Sequence, residues 1–256
     1  MEILLYTIIF IIGTFFGSFF TLAVYRIPRK EDILIKHSYC PNCNSKLGFF
    51  DLFPVFSYIF LGAKCRYCKN KIRPRYLILE ILSGLSFLIL AMSVKLNINN
   101  AQSVIAIFFL LLYVSVLFII AGIDKENIKI EKSVLIFGFI IELLYIIYQY
   151  TLDNSSVYQY VMYLIIFVII LLILRKILKS NKNKQYIFQN FYLSLYMFIF
   201  SGIEIYILTF VLSLIILLFY KSTKSEKENQ LPFGFYLSIS NILLIAILNI
   251  IINYVI

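Results

Sequence analysis

Residues Gln102 to Asp124 read QSVIAIFFLLLYVSVLFIIAGID. No charge interrupts the stretch before its final aspartate, and as a helix rising about 1.5 Å per residue it extends roughly 33 Å, the depth of a hydrocarbon core. It is therefore expected to cross a membrane. Applied to the whole chain, the same reading gives candidate spans near 3–25, 77–94, 102–123, 133–149, 158–174, 187–201, 205–220 and 235–255. Composition agrees: the 256 residues are 62% hydrophobic and 14% charged, against about a quarter charged in soluble domains. The expected fold class is an all-α polytopic membrane protein with about eight transmembrane helices. Its sixth and seventh spans lie in a nearly continuous apolar run, Ile187 to Tyr220, which as one helix would measure roughly 50 Å and overshoot the bilayer. Ser201-Gly202-Ile203-Glu204 is the expected break.

The charges test this map independently. Arg26, Arg29, Lys30, Lys36, Lys46, Lys64, Arg66, Lys69, Lys71, Arg73 and Arg75 lie between the first two spans. Lys125, Lys129 and Lys132 follow the third, Arg175, Lys176, Lys179, Lys182 and Lys184 the fifth, and Lys221, Lys224 and Lys227 the seventh. In an eight-span arrangement only Lys95, of 23 basic residues, falls on the opposite side. The positive-inside rule makes the basic side cytoplasmic and puts both termini outside, in a multi-pass protein of the cytoplasmic membrane. The net charge of +10 is then mostly topology. No basic stripe interleaved with aromatics marks a soluble nucleic-acid surface. The first span, lacking a basic n-region and followed by the basic cluster, does not read as a cleaved signal peptide.

All four cysteines fall in the one long hydrophilic segment, as Cys40-Pro41-Asn42-Cys43 and Cys65-Arg66-Tyr67-Cys68 with 21 residues between the pairs. Two C-x2-C knuckles supply four thiolates to a tetrahedral Zn²⁺, and four protein ligands fill the shell, so the expected metal is structural. Redox-active or unmetallated thiols are the alternative; a reducing cytoplasm argues against disulfides. A cytoplasmic zinc-ribbon-like insertion over 26–76 is expected, small enough to need such a staple. His37, the single histidine, reads as a solvated loop residue or neighbour of the metal site more readily than as a ligand.

Asp124 is either an ordinary polar residue opening a loop or half of a reactive pair. Glu142, about ten residues into the fourth span, is an intramembrane carboxylate and so a functional candidate, with a neutral hydrogen-bonded packing role as the alternative.

The motifs together resemble a known family. Gly17-Ser18-Phe19, Arg26-Ile27-Pro28, His37-Ser38-Tyr39-Cys40, Phe53-Pro54-Val55-Phe56-Ser57-Tyr58, Gly62-Ala63-Lys64-Cys65 and Arg75-Tyr76-Leu77-Ile78-Leu79-Glu80 resemble, in order and spacing, the bacterial type IV prepilin leader peptidases. Asp124 and Leu231-Pro232-Phe233-Gly234 continue the likeness. It implies a first helix over 1–25, the four-cysteine zinc domain over 26–76, and a membrane-embedded aspartic-peptidase-like domain over 77–256. The family members are GxGD-type aspartic proteases that remove basic leaders from pilin and pseudopilin precursors at the cytoplasmic membrane face. Many also methylate the new N-terminus with S-adenosylmethionine, for which this sequence shows no Gly-rich strand-to-helix loop.

In such a dyad one carboxylate activates water while its protonated partner polarises the peptide carbonyl. The resemblance gives Asp124 one of these roles. The second aspartate is expected at the start of the sixth span in a Gly-x-Gly-Asp motif, which this sequence lacks. Taking Gly202 as the family glycine that follows the motif puts its position at Ile187-Phe188-Gln189-Asn190, with asparagine in place of aspartate. Glu204 reads instead as a polar turn residue on the outer side. Glu80 reads as a local ion-pair partner of Arg73 or Arg75 as readily as a catalytic group, and Glu126 and Glu131 as loop acids beside Asp124. The alternatives that follow are a working peptidase, a proteolytically inactive relative that binds, assembles or methylates pilins, and an unrelated membrane scaffold or transporter. The last is disfavoured by the ordered motifs.

Overall fold

A computed structural model describes residues 2–33, 35, 37–152, 156–177, 184–223 and 231–255. The basic residues Lys36, Lys179, Lys182, Lys224 and Lys227 lie outside the described residues. The chain is helical: α1 Glu2–Arg26, α2 Phe56–Phe60, α3 Arg75–Ser93, α4 Ala101–Asn127, α5 Lys132–Leu152, α6 Ser156–Ile177, α7 Lys184–Thr223 and α8 Phe233–Ile250. Among the described residues, six stretches are long and apolar enough to cross a membrane, Ile3–Arg29, Arg75–Ser93, Ala101–Asn127, Lys132–Leu152, Gln185–Lys221 and Phe233–Tyr254. A shorter apolar helix, Tyr160–Leu174, matches the fifth expected span.

The long α7 is two helices in series. Gly202 sits at φ 79°, ψ 169°, far from helical values and open to glycine because it lacks a Cβ. The kink falls inside the tetrapeptide where bilayer thickness demanded it, and the exposed Glu204 lies two residues beyond.

Two compact units form, Met1–Ile107 with Asn249–Ile256, and Phe108–Leu248. In the first, α1 and α3 pack backbone to backbone. A Cβ on Gly13 would come within 2.8 Å of the Gly84 Cα, and one on Gly17 within 2.7 Å of the Glu80 Cα, so both positions require glycine. Gly13 and Gly17 stand one turn apart in the small-x-x-x-small pattern of membrane helix pairs, and the Ser83 hydroxyl donates to the Gly13 carbonyl. At the end of α1, the buried Arg26 donates to the carbonyls of Asp32 and His37, both at 2.9 Å, tying the hydrophilic segment to the helix that precedes it.

In the second unit a polar seam runs through an aromatic core. Tyr113 stacks on Phe200 at 3.9 Å and donates to Asn241 Oδ1 at 2.7 Å, while Asn241 Nδ2 donates to Thr209 at 3.1 Å. With no competing water in hydrocarbon, such buried amides and hydroxyls gain most by pairing with each other. Glu142 is 2% exposed in α5, and neither of its carboxylate oxygens has a partner among the described residues.

Candidate active site and metal centre

The cysteine pairs occupy two loops of the same construction. Each is bracketed by an isolated antiparallel bridge, Tyr39 with Lys46 and Lys64 with Lys71. In each, the first cysteine's N–H donates to a carbonyl five residues on, Ser45 at 3.0 Å and Asn70 at 2.9 Å. The residue after each second cysteine, Asn44 (φ 55°) or Lys69 (φ 59°), is left-handed and donates to the carbonyl of the first cysteine. This turn aims both thiols of a C-x2-C pair at one point, and the two turns face each other. The four Sγ atoms lie within 4.8 Å of one another, with Cys40 and Cys68 at 3.9 Å. A tetrahedron of about 2.3 Å Zn–S bonds has edges of about 3.8 Å, so the donor set fits a metal of that size.

The surroundings lower the Cys43 and Cys65 thiols, whereas Cys68, despite its bond with the Asn70 backbone, is raised to about 11 by burial and the neighbouring thiols. Hydrogen bonds with the Ser45 hydroxyl and backbone draw the Cys43 thiol down to about 6. Arg66, between the second pair, binds Asp51 at 2.6 Å. Burial pushes the Asp51 carboxyl up, but Arg66 and the Gly48 N–H more than offset it and leave the group below its ordinary range. His37 is exposed and stands outside the cluster.

The second candidate site lies where α4, α7 and α8 meet. Asp124 is fully buried one turn before the end of α4. Its Oδ2 accepts hydrogen bonds from the Tyr186 hydroxyl at 3.0 Å and the Phe235 N–H at 2.9 Å. Phe235 is the third residue of α8, where backbone N–H groups lack intrahelical partners and a carboxylate is favoured. The Phe233 N–H donates in turn to the Tyr186 oxygen at 2.9 Å. Oδ1 of Asp124 has no partner among the described residues, and neither does Oδ1 of Asn190, which is itself buried. Both residues face Gly234: a Cβ there would lie 3.1 Å from Asp124 Oδ2 and 3.3 Å from Asn190 Oδ1. The Asn190 amide nitrogen is committed to the Tyr186 carbonyl at 2.9 Å.

The chain after α4 is bent to close this site. Ile128, a β-branched residue, sits at φ 50°, a conformation costly for it. The bend returns the buried Ile130 to Gly234, and the Ile130 N–H donates to the Gln189 side chain at 3.3 Å. Of the other acids weighed from sequence, Glu131 pairs with Lys129 at 2.8 Å. Glu80 accepts the Val55 N–H at 2.7 Å, a backbone partner that neither sequence alternative contained. Tyr186 was missed in the sequence. Its signal was available, because it stands one helical turn before Asn190 on the same face.

Helices carrying a buried intramembrane carboxylate, together with a hydrophilic four-cysteine module inserted between the first two, define a class of membrane protein, and the comparisons place it more closely. Residues 11–94 match the family model of the bacterial peptidase A24 N-terminal domain, a region that includes the cysteine cluster and stops before Asp124. A prepilin leader peptidase/N-methyltransferase of Vibrio cholerae is 40% identical over 95 residues, covering 34% of this chain and 36% of the relative. The Bacillus subtilis protein of the same name is 30% identical over 131 residues, 51% of this chain and 50% of the relative. That of Myxococcus xanthus is 35% identical over 79 residues, 31% and 24% respectively. The matches thus span from about a quarter to a half of these relatives' lengths. No solved structure matches. Over these matched stretches the chain is similar to the bacterial prepilin leader peptidases, as its motifs led one to expect.

Proposed function

We propose that this protein is a leader peptidase for type IV prepilins or pseudopilins, working at the cytoplasmic face of the membrane with Asp124 as its reacting carboxylate. The supporting observation is the state of that carboxylate. One oxygen, Oδ2, is fixed by Tyr186 and Phe235 and faces Gly234, while the other, Oδ1, is buried with no partner among the described residues. In the reaction the free oxygen takes a proton from water as the water oxygen bonds to the peptide carbonyl carbon. The same carboxyl returns that proton to the amine nitrogen as the C–N bond breaks. Tyr186 acts as a positioning residue, holding the other oxygen. Cys40, Cys43, Cys65 and Cys68 hold a structural Zn²⁺ that cross-links the two loops. Methylation of the released amino terminus from S-adenosylmethionine belongs to this reading through the relatives' names, and no step is routed through that cofactor.

Incubating the full-length protein with a leader-bearing prepilin should yield the shortened product, and Asp124→Ala should lose it. Cleavage that survives in Asp124→Ala overturns the assignment. Hydrogen bonds to a charged group contribute about 1.5–3 kcal/mol, so Tyr186→Phe should lower kcat by about tenfold or more with KM little changed. Equal changes in both, or none, would remove Tyr186 from the site.

Asn190 favours a second reading. An amide cannot take up or share a proton as a carboxyl does, so the chain would bind, assemble or methylate pilins without cutting them. Absence of product from the unaltered protein, with the prepilin still bound, would select this reading.

A further inference from the structure

The hydrophilic segment between α1 and α3 carries a surface that does not suit water. Over the 3₁₀ turn Phe49–Asp51 and the short α2, Phe49 is 69% exposed, Phe50 78%, Ile59 62% and Phe60 82%. These rings are ordered against each other. Phe53 meets Phe49 at 6.3 Å and Phe56 at 5.6 Å, and Phe56 stacks on Phe60 at 6.3 Å. An exposed cluster of this kind on an ordered element marks an interaction site.

Its position along the membrane helices identifies the occupant. Phe53 meets Phe15 of α1 edge to face at 5.4 Å, and Phe15 stands eleven residues before Arg26, the end of that helix. At about 1.5 Å per residue this contact lies roughly 16 Å in from the helix end, well inside a hydrocarbon core of about 30 Å. Two residues on, the Val55 N–H is held by the buried Glu80, five residues inside α3. The loop is thus fastened to both transmembrane helices below their ends, and its outward rings continue the exposed apolar face of α1 at Phe15 and Phe19. In the sequence flanking the patch, Lys46, Lys64, Lys69, Lys71 and Arg73 are exposed, while Asp51, the single acid from Ser45 to Arg75, is bound to Arg66. An aromatic surface carried on a segment this basic suits acyl chains below anionic headgroups.

We infer that the segment Phe49–Phe60 is not soluble but re-entrant: it inserts its phenylalanines into the leaflet at the C-terminal end of α1 and anchors the four-cysteine module to anionic phospholipid. Much of the backbone at that depth has partners within the protein, in the 3₁₀ turn, in α2 and in the Val55–Glu80 bond, as a hydrocarbon setting requires. The four-cysteine module would then be fixed at the membrane surface and could not swing freely above it.

The chain contains no tryptophan, so single reporters can be read without background. The full-length Phe50→Trp and Phe60→Trp proteins, placed in phosphatidylcholine–phosphatidylglycerol vesicles, should emit at blue-shifted wavelengths. They should lose most of their emission to lipids brominated on the acyl chains and little to aqueous iodide. Tyr67→Trp, in the second cysteine loop, should behave oppositely. Water-like emission quenched by iodide at positions 50 and 60 would overturn the proposal. Blue-shifted emission insensitive to brominated lipid would do so too, because it would mean that protein covers the patch.

Discussion

Replacing Asn190 by aspartate is expected to raise the rate of prepilin cleavage by at least about 10²-fold, within the 10²–10⁴ that a positioned acid–base group contributes. Position 190 receives this prediction because of its neighbours. Its Oδ1 and the Asp124 Oδ2 both lie within 3.3 Å of the point where a Gly234 side chain would begin, and with Ile130 Cδ1 they are the nearest atoms to it among the described residues. Aspartate is close to asparagine in shape, so the substitution adds a titrating oxygen without repacking the site. Two carboxyl groups facing one point compete for a single proton, which separates their roles into base and acid. The variant should therefore show a bell-shaped pH–rate profile of paired groups, where the unaltered chain shows one limb or no cleavage. The accompanying Asp124→Asn, Asn190→Asp double variant should lose the gain, since it again holds one carboxylate. An Asn190→Asp protein no faster than the unaltered chain would remove residue 190 from the reaction.

Gly234 makes that geometry possible, and it shows what a sequence can disclose. The apolar runs, the break at Gly202 and the cysteine spacing could be read directly, because each follows from a one-dimensional requirement: bilayer thickness, a residue free of Cβ, a fixed number of metal ligands. The candidate site is a three-dimensional coincidence of α4, α7 and α8. Leu231-Pro232-Phe233-Gly234 was visible as a motif, but that its glycine faces Asp124 and Asn190 requires the helices to be placed. Tyr186 escaped notice because a tyrosine in an aromatic-rich membrane helix has nothing to mark it until its hydroxyl is found on the Asp124 carboxylate. Glu80 was sought as an ion-pair partner for nearby arginines, and its bond to the Val55 N–H was hidden by the 25 residues between them. The span count differs for a related reason. Tyr160–Leu174 falls short of a full crossing among the described residues, and hydropathy does not register the kink that divides Gln185–Lys221.

Cys65→Ser should reduce bound zinc from about one per chain to none and unfold the loops around it. The argument rests on how little else holds this region. Among the described residues its regular structure amounts to two isolated bridges, short 3₁₀ turns and the five-residue α2, and Phe49, Phe50, Phe56 and Phe60 are exposed rather than packed in a core. Metal binding in small thiolate sites is worth about 10–16 kcal/mol at neutral pH, and where no site exists in the unfolded chain that energy is folding energy. Cys65 is the sharpest position to remove because it is buried and its backbone shapes the second loop, donating to Asn70 and accepting from Lys69. Serine keeps the size and the backbone but offers a hydroxyl that is far harder to ionise and a poor ligand for this metal. Limited proteolysis should cut the variant between Cys43 and Arg73 while leaving α4 to α8 intact, and a chelator should do the same to the unaltered protein. Zinc content equal in the two proteins would show that the four thiols do not bind the ion together. Zinc loss without new cleavage would show that the Gly13–Gly84 packing and the Arg26 and Glu80 anchors hold the segment unaided.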